Sequence, residues 1–228
     1  MVLRELVPGG YNRVAMVRDG LFYGLALIVV GVIVWFSTHI LALTLIPLLL
    51  AAFFLWFFRD PARRIPQGEG IIVSPADGKV EEADWIETTS GSRVRVTIFL
   101  NVFDVHVNRV PAEGVVSLVE YREGQFLNAL KPESALHNEQ TLVTIENEHY
   151  SLSFKQIAGL LARRIVCNLQ AGQRVERGQR MGMIKFGSRC DVLLPASVEL
   201  RVKAGDRVKG GSSILGVVPV AEQTDGRG

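Results

Sequence analysis

Formal charge is missing from one long stretch of this chain: across the 38 residues from Leu21 to Phe58 there is no Lys, Arg, Asp or Glu. With a hydrophobic content of 48% and a mean hydropathy of +0.25, that gap excludes a purely soluble protein. Cysteine is scarce as well. Cys167 and Cys190 are the only two and stand outside any Cys-x-x-Cys spacing. That excludes a disulfide framework and a zinc knuckle, and leaves two small apolar residues of a reducing compartment. The four histidines are dispersed without ligand spacing, so no metal cluster is expected. The net charge is +2 with no long basic block, and nucleic acid is not an expected partner.

The uncharged run is far longer than the roughly 20 residues that one membrane-spanning helix needs. A polar break, Ser37-Thr38-His39, divides it into Leu21–Phe36 and Ile40–Phe58, which predicts a helical hairpin. Arg4, Arg13 and Arg18 precede the run, and Arg59, Arg63 and Arg64 follow it. Basic flanks belong on the cytoplasmic side, and only a hairpin returns both of them there. Pro47 and the short first arm leave a single tilted span open as the alternative. A cleaved signal peptide is not the expected reading, because its apolar core is shorter and no small-residue cleavage site precedes Arg59-Asp60-Pro61. The expected organisation is a cytoplasmic segment over 1–20, a membrane anchor over 21–58 and a folded domain over 59–228. The domain would sit on the cytoplasmic side of the cell membrane.

Beyond Pro66 the texture becomes that of short strands. Gly70–Ser74, Arg93–Leu100, Val115–Tyr121, Gln140–Glu146, Tyr150–Ile157 and Val192–Val202 are rich in Val, Ile, Phe and Thr and are separated by Gly, Asn, Asp and Pro. Alternation in Val94-Arg95-Val96-Thr97-Ile98 and Val198-Glu199-Leu200-Arg201-Val202 fits strands with one face buried. Only Ala158–Arg164 suggests a short helical turn. A repeat, Gly172-Gln-Arg-Val-Glu-Arg-Gly178 and Gly205-Asp-Arg-Val-Lys-Gly-Gly211, sets two glycines around a hydrophobic anchor, as tight turns in sandwich-like barrels do. No lysine stands at a hairpin tip as a biotin or lipoate carrier requires, so the repeat speaks for fold alone. The fold class is therefore mainly β, a sandwich-like β barrel preceded by an N-terminal helical membrane anchor.

The stretch richest in chemistry is Ile184-Lys-Phe-Gly-Ser-Arg-Cys-Asp-Val-Leu-Leu-Pro195. A Gly-Ser pair between two apolar strand-like segments weakens a strand, and taken alone it reads as a bulge. Three segments give it company: Trp56-Phe-Phe-Arg-Asp-Pro-Ala-Arg-Arg-Ile-Pro66; Ser74-Pro-Ala-Asp-Gly78 with Asn101-Val-Phe-Asp-Val-His-Val-Asn-Arg-Val-Pro111; and Phe186-Gly-Ser-Arg189. In order and spacing, from about residue 10 to about residue 218, the chain resembles the phosphatidylserine decarboxylase family, in particular its short bacterial and archaeal branch.

The resemblance implies a zymogen that cleaves itself between Gly187 and Ser188 into 1–187 (the β chain) and 188–228 (the α chain), which stay associated. Ser188 then becomes a pyruvoyl cofactor. That group would decarboxylate phosphatidylserine to phosphatidylethanolamine through a Schiff base, making this a lyase of phospholipid biosynthesis. A membrane phospholipid is the implied partner, and a homodimer is suggested by resemblance only. The chemistry is consistent with this. A serine hydroxyl behind a strained peptide can attack the preceding carbonyl, and glycine there neither obstructs the attack nor resists unusual backbone angles. The hydroxyl stays a poor nucleophile until a base activates it.

For the base, the resemblance points to an Asp–His arrangement, here Asp77 and His106. Asp77 lies in a Pro-Ala-Asp-Gly turn, where an Asx-turn cap is the simpler role. Alternation puts Asp104, His106 and Asn108 on one strand face. Longer family members carry a second histidine three residues after the first. Here that position is Arg109, which cannot act as a base at neutral pH. Either His106 does both tasks or His137 or His149 contributes, and Arg109 becomes a candidate for the substrate's phosphate or carboxylate. Arg63 and Arg64 are further phosphate candidates by charge. Gly211-Ser212 is a second Gly-Ser pair, but cutting there would leave only 17 residues, so Ser188 is preferred. Two other readings remain open: the same chemistry on the ether lipid archaetidylserine, and a non-enzymatic membrane-anchored β-barrel adaptor.

Overall fold

A computed structural model describes residues 13–88, 91–160, 164–185 and 187–219. The expected segment 1–20 falls largely outside them, as does Phe186 of the Gly-Ser motif, and the expected helical turn over 158–164 does so in part. Contacts divide the chain into a unit ending at Ala62 and one beginning at Arg63.

The first unit is a pair of helices, α1 (Arg13–Thr38) and α2 (Leu41–Phe57). The turn falls at His39, whose φ of +53° is left-handed and ends the first helix. Small residues let the arms approach closely: a side chain on Gly20 would strike Phe58, on Gly24 Leu55 and on Gly31 Leu48. These pairings make the arms antiparallel, and the rings of Tyr23, Phe54 and Phe58 pack where they meet. Outward sides stay apolar, with Phe22 70%, Phe36 73% and Leu49 67% exposed. Residues 18–38 are long and apolar enough to cross a membrane by length and composition, whereas α2 has 17 residues.

The second unit is mainly β, its largest part a curled half-barrel. In chain order its first strands are β1 (Ile71–Val73), β2 (Gly78–Thr88), β3 (Gly91–Leu100), β4 (Val107–Arg109) and β5 (Gly114–Arg122), followed by the single turn α3 (Ser134–His137). Then come β6 (Gln140–Glu146), β7 (Ser151–Ile157), β8 (Ile165–Cys167), β9 (Arg174–Val175) and β10 (Arg180–Ile184). The remaining strands are β11 (Ser188–Pro195), β12 (Glu199–Leu200), β13 (Arg207–Val208) and β14 (Ile214–Val217). Eight strands make the curled sheet in the order β13-β2-β3-β11-β7-β6-β5-β9, and two three-stranded sheets, β1-β14-β12 and β4-β10-β8, accompany it. The core is apolar, built on alternating residues such as Val94, Val96, Ile98, Val192 and Phe154.

This order is a palindrome of two like halves. One half is discontinuous, β1–β3 with β11–β14; the other, β4–β10, is continuous and inserted into it. The match reaches single hydrogen bonds. Val73 N donates to Pro111 O at 2.9 Å and Arg109 N to Pro75 O at 2.8 Å. Gly211 N bonds Ser74 O as Gly178 N bonds Val110 O, and Gly205 N bonds Val80 O as Gly172 N bonds Val116 O. Bulges fall at equivalent places, between Val80 and Glu82 in β2 and between Val116 and Leu118 in β5. The glycine repeat thus supplies the edge strands β9 and β13. A second repeat, Pro75-Ala-Asp-Gly78 and Pro111-Ala-Glu-Gly114, supplies the entries to β2 and β5.

Two expectations need correcting. The run Val192–Val202 is not one strand: β11 starts earlier, at Ser188, and stops at Pro195, where a turn closes with Val198 N on Pro195 O at 3.1 Å. Proline has no N–H to continue a ladder. Asp104, His106 and Asn108 do not share a strand face either, because β4 begins only at Val107. Asn101 and Asp104 fold the preceding residues into a turn, with Asn101 N on Asp104 Oδ2 at 2.9 Å and Phe103 N on Asn101 Oδ1 at 2.7 Å.

Candidate active site

Ser188 opens the central strand β11, opposite Leu100 of β3. It is fully buried, and its Oγ has no hydrogen-bond partner among the described residues. Gly187, just before it, has φ +42°, a left-handed value that glycine adopts without strain. Its carbonyl is closely held. A Cβ on Gly159 would lie 2.0 Å from Gly187 O, so the oxygen of the Gly187–Ser188 peptide fills the place a side chain at 159 would take.

His106 is tied by its backbone to the strand that leads into this segment. Ile184 N donates to His106 O at 3.3 Å, and Ile184 ends β10, four residues before Ser188. The imidazole is fully buried, with Nδ1 2.9 Å from Asp104 O. A carbonyl only accepts, so Nδ1 carries the proton and Nε2 holds the basic lone pair.

Asp77 is engaged elsewhere. Its oxygens take Arg63 Nη2 at 2.9 and 2.8 Å and Gly210 N at 2.8 Å, and not His106. Arg109 borders that corner. It is 7% exposed, Nη1 donates to Gly178 O at 3.1 Å, and its Cδ would lie 2.7 Å from a Cβ on Gly211. Asp77, Arg63 and Arg109 therefore share one corner, while His106 is tied through its backbone to Ile184, four residues before Ser188. The two are linked through β4, which carries His106 just before its start and Arg109 at its end. Arg64 is exposed, His137 is exposed at the end of α3, and His149 is exposed in the β6–β7 hairpin at the far end of the sheet from Ser188.

Several neighbours of Ser188 escaped the sequence reading. On the opposite face of β11, Arg189 Nε and Nη2 grip Asp191 at 2.6 and 3.0 Å, and Nη2 also reaches Thr97 Oγ1 at 3.2 Å. This pair is buried and fixes the strand beside the hydroxyl. On the Ser188 face stands Cys190, whose thiol burial pushes far above its ordinary value of 9.0; it stays neutral and is no rival nucleophile. Beside it on β7, Gln156 Nε2 donates to Asn108 Oδ1 at 2.8 Å, both residues fully buried. The available signal was a glutamine completing the alternation Leu152-x-Phe154-x-Gln156 at an apolar position.

A sequence profile of the phosphatidylserine decarboxylase family matches residues 50–216. The phosphatidylserine decarboxylase proenzyme of Solibacter usitatus is 48% identical over 201 residues, covering 88% of this chain and 95% of the relative. That of Carboxydothermus hydrogenoformans is 42% identical over 208 residues, with the same coverages of 88% and 95%. That of Chlorobium limicola is 44% identical over 187 residues, 78% of this chain and 88% of the relative. With a profile match over most of its length and relatives matched nearly end to end, the chain belongs to the phosphatidylserine decarboxylase family and is a decarboxylase.

Proposed function

We propose that the chain is made as a precursor, cuts itself between Gly187 and Ser188, and then converts phosphatidylserine to phosphatidylethanolamine and carbon dioxide at a pyruvoyl group derived from Ser188. One observation carries this: Ser188 Oγ is a fully buried hydroxyl without a partner among the described residues, directly behind a left-handed glycine. A structural serine at the head of a central strand would satisfy its hydroxyl.

In maturation Oγ adds to the Gly187 carbonyl carbon and the C–N bond breaks, leaving an ester and a free amine on residue 188. A base removes the Cα proton of residue 188, the Cβ–O bond breaks, and Gly187 departs as a carboxylate. The dehydroalanine left behind tautomerises to an imine, which water hydrolyses to the keto group and ammonia. His106 Nε2 is our proton acceptor, because Nδ1 is committed to Asp104 O. Asp77 contributes by tying Arg63 to the Gly210 turn, and Arg109 is our candidate for the lipid phosphate.

The serine present at this position fits the implied prosthetic group, which supplies an electrophilic carbonyl and an electron sink for the pair released with carbon dioxide. His106 then returns a proton to the substrate carbon. The cut leaves both pieces together, since β11 pairs with β3 on one side and β7 on the other. The antiparallel helices bring Arg13 and Arg18 to the same end as Arg59, supporting a hairpin anchor with its basic end in the cytoplasm.

The test is the intact mass of purified protein beside Ser188→Ala. Wild type is expected as two chains, one ending at Gly187 and one starting with a pyruvoyl-blocked residue, while the variant stays whole. A wild-type chain that remains single, keeps a free serine and still fails to decarboxylate phosphatidylserine rules the proposal out.

A further inference from the structure

The two halves of the β domain place different residues at equivalent core positions, and the difference falls beside Ser188. In the discontinuous half, β1 sets Ile72 opposite Gly216 of β14; in the inserted half, β4 sets Asn108 opposite Gly182 of β10. Likewise Leu194 of β11 pairs with Val94 of β3, while Gln156 of β7 pairs with Thr141 of β6. All four of Ile72, Leu194, Asn108 and Gln156 have zero exposure. Where one half is apolar, the other buries two carboxamides.

Packing does not require this substitution, because Ile72 and Leu194 fill the same places in the apolar core. The amides bond each other at 2.8 Å, and Gln156 Nε2 also faces Val166 O at 3.4 Å, which fixes the orientation of the glutamine. That leaves Asn108 Nδ2 and Gln156 Oε1 without a partner among the described residues. One donor and one acceptor are thus held unsatisfied in the core, where buried polar groups are ordinarily paired. Asn108 stands two residues beyond His106. Gln156 pairs with Cys190, two residues from Ser188 on the same face of β11.

We infer that Asn108 and Gln156 form the subsite for the amino-acid head group of the substrate. The inference rests on the decarboxylase reading above and extends it to the recognition of serine. A zwitterionic α-amino acid offers what the pair lacks: a carboxylate oxygen accepts from Asn108 Nδ2, and the amine donates to Gln156 Oε1. Uncharged amides suit the task, since a charged pair would hold the carboxylate against its loss as carbon dioxide.

The experiment transplants one half's residues onto the other, in full-length protein in detergent: Asn108→Ile with Gln156→Leu. The double variant is expected to cleave itself like wild type by intact mass and to melt no lower than wild type. Its kcat/KM on phosphatidylserine in mixed micelles should fall by about 100-fold or more, and soluble glycerophosphoserine should lose its power to inhibit. A kcat/KM within about threefold of wild type overturns the assignment. Failure of the double variant to cleave overturns it too, because the pair would then serve maturation. If the double variant does not fold, Gln156→Met, nearly isosteric and without the acceptor, decides by the same kinetic criterion. A wild type that neither cleaves nor decarboxylates defeats the underlying reading instead.

Discussion

The inserted half, β4–β10, and the discontinuous half, β1–β3 with β11–β14, repeat the same backbone with different chemistry. Equivalent turns present Asp77 and Glu113. Asp77 holds Arg63 with both side chains largely buried, 14% and 9% exposed. Glu113 holds Arg177 while itself 44% exposed. Equivalent strand faces carry the buried Arg189–Asp191–Thr97 cluster and, in the other half, only a hydroxyl pair, Thr144 with Ser153 at 2.9 Å. The scaffold needs neither the buried charge nor the buried amides, since each half does without one of them. What the copies share is fold, and of what they do not share, the ion cluster on β11 and the buried amides lie beside Ser188.

That contrast can be broken first at the buried ion pair. In a Ser188→Ala background, which by the proposed maturation stays whole, Asp191→Ala should cost about 3–5 kcal/mol by leaving Arg189 buried and uncompensated. Ser153→Ala should cost only about 1 kcal/mol. Chemical denaturation of the two variants reads the difference, and equal losses would mean that the charge is no more structural than the hydroxyls.

Next comes the contact between Gly159 and the carbonyl of Gly187, the proposed cleavage point. Gly159→Ala would push Gly187 O aside by roughly 1 Å, enough to slow self-cleavage by about 100-fold. Gly114→Ala meets a comparable obstacle, Glu146 O at 2.4 Å, at the far end of the sheet. It should lower stability while leaving the cleavage rate of folded protein near wild type. Time courses of intact mass check the pair, and equal cleavage rates would remove Gly159 from maturation.

The two acidic corners give a smaller effect. Asp77→Asn should cost about 1.5–3 kcal/mol and slow cleavage, whereas Glu113→Gln should stay within about 1 kcal/mol and cleave normally. Cleavage at wild-type rate in Asp77→Asn would reduce Asp77 to the same clasp role as Glu113.

Smallest is a pH effect. Burial raises the Cys190 thiol well above its ordinary 9.0, so above that pH the unfolded chain loses a proton that the folded one keeps. The associated stability is complete below pH 9 and declines as pH rises, by up to about 1.4 kcal/mol per unit. Cys190→Ala should flatten the alkaline fall in melting temperature; an unchanged slope would assign it to Cys167 or Tyr150, also raised by burial.

Much of this was legible in the residues because it rests on periodicity and local chemistry. Runs of Val, Ile, Phe and Thr between turn residues located β3, β6 and β7 to within two residues, and the Gly187-Ser188 pair stood out because glycine does not suit a strand. β2 was invisible, since its acidic run Glu81-Glu82-Ala83-Asp84 is partly solvated on both faces and lacks an apolar alternation. The duplication hid because one half is split around the other, 36 residues apart at its Pro-Ala-Asp-Gly and Pro-Ala-Glu-Gly ends. Gly159 left no trace, because one backbone fitting against another leaves no pattern of side chains. The Asp104-His106-Asn108 face failed for a local reason: the Asn101 and Asp104 side chains hydrogen-bond the backbone out of extended form before β4 can begin.

Under the proposed cut before Ser188, the position of β11 between β3 and β7 has a further outcome. The precursor can reach its native state by a first-order process, as one molecule finding its own central strand. After that cut, residues 188–228 would be a separate molecule, and recovery from denaturation would become a second-order encounter that slows with dilution. A mature preparation should therefore regain its fold in a concentration-dependent way, while Ser188→Ala does so at any dilution. The domain would then be assembled once, with the covalent link serving as a template that is discarded after use.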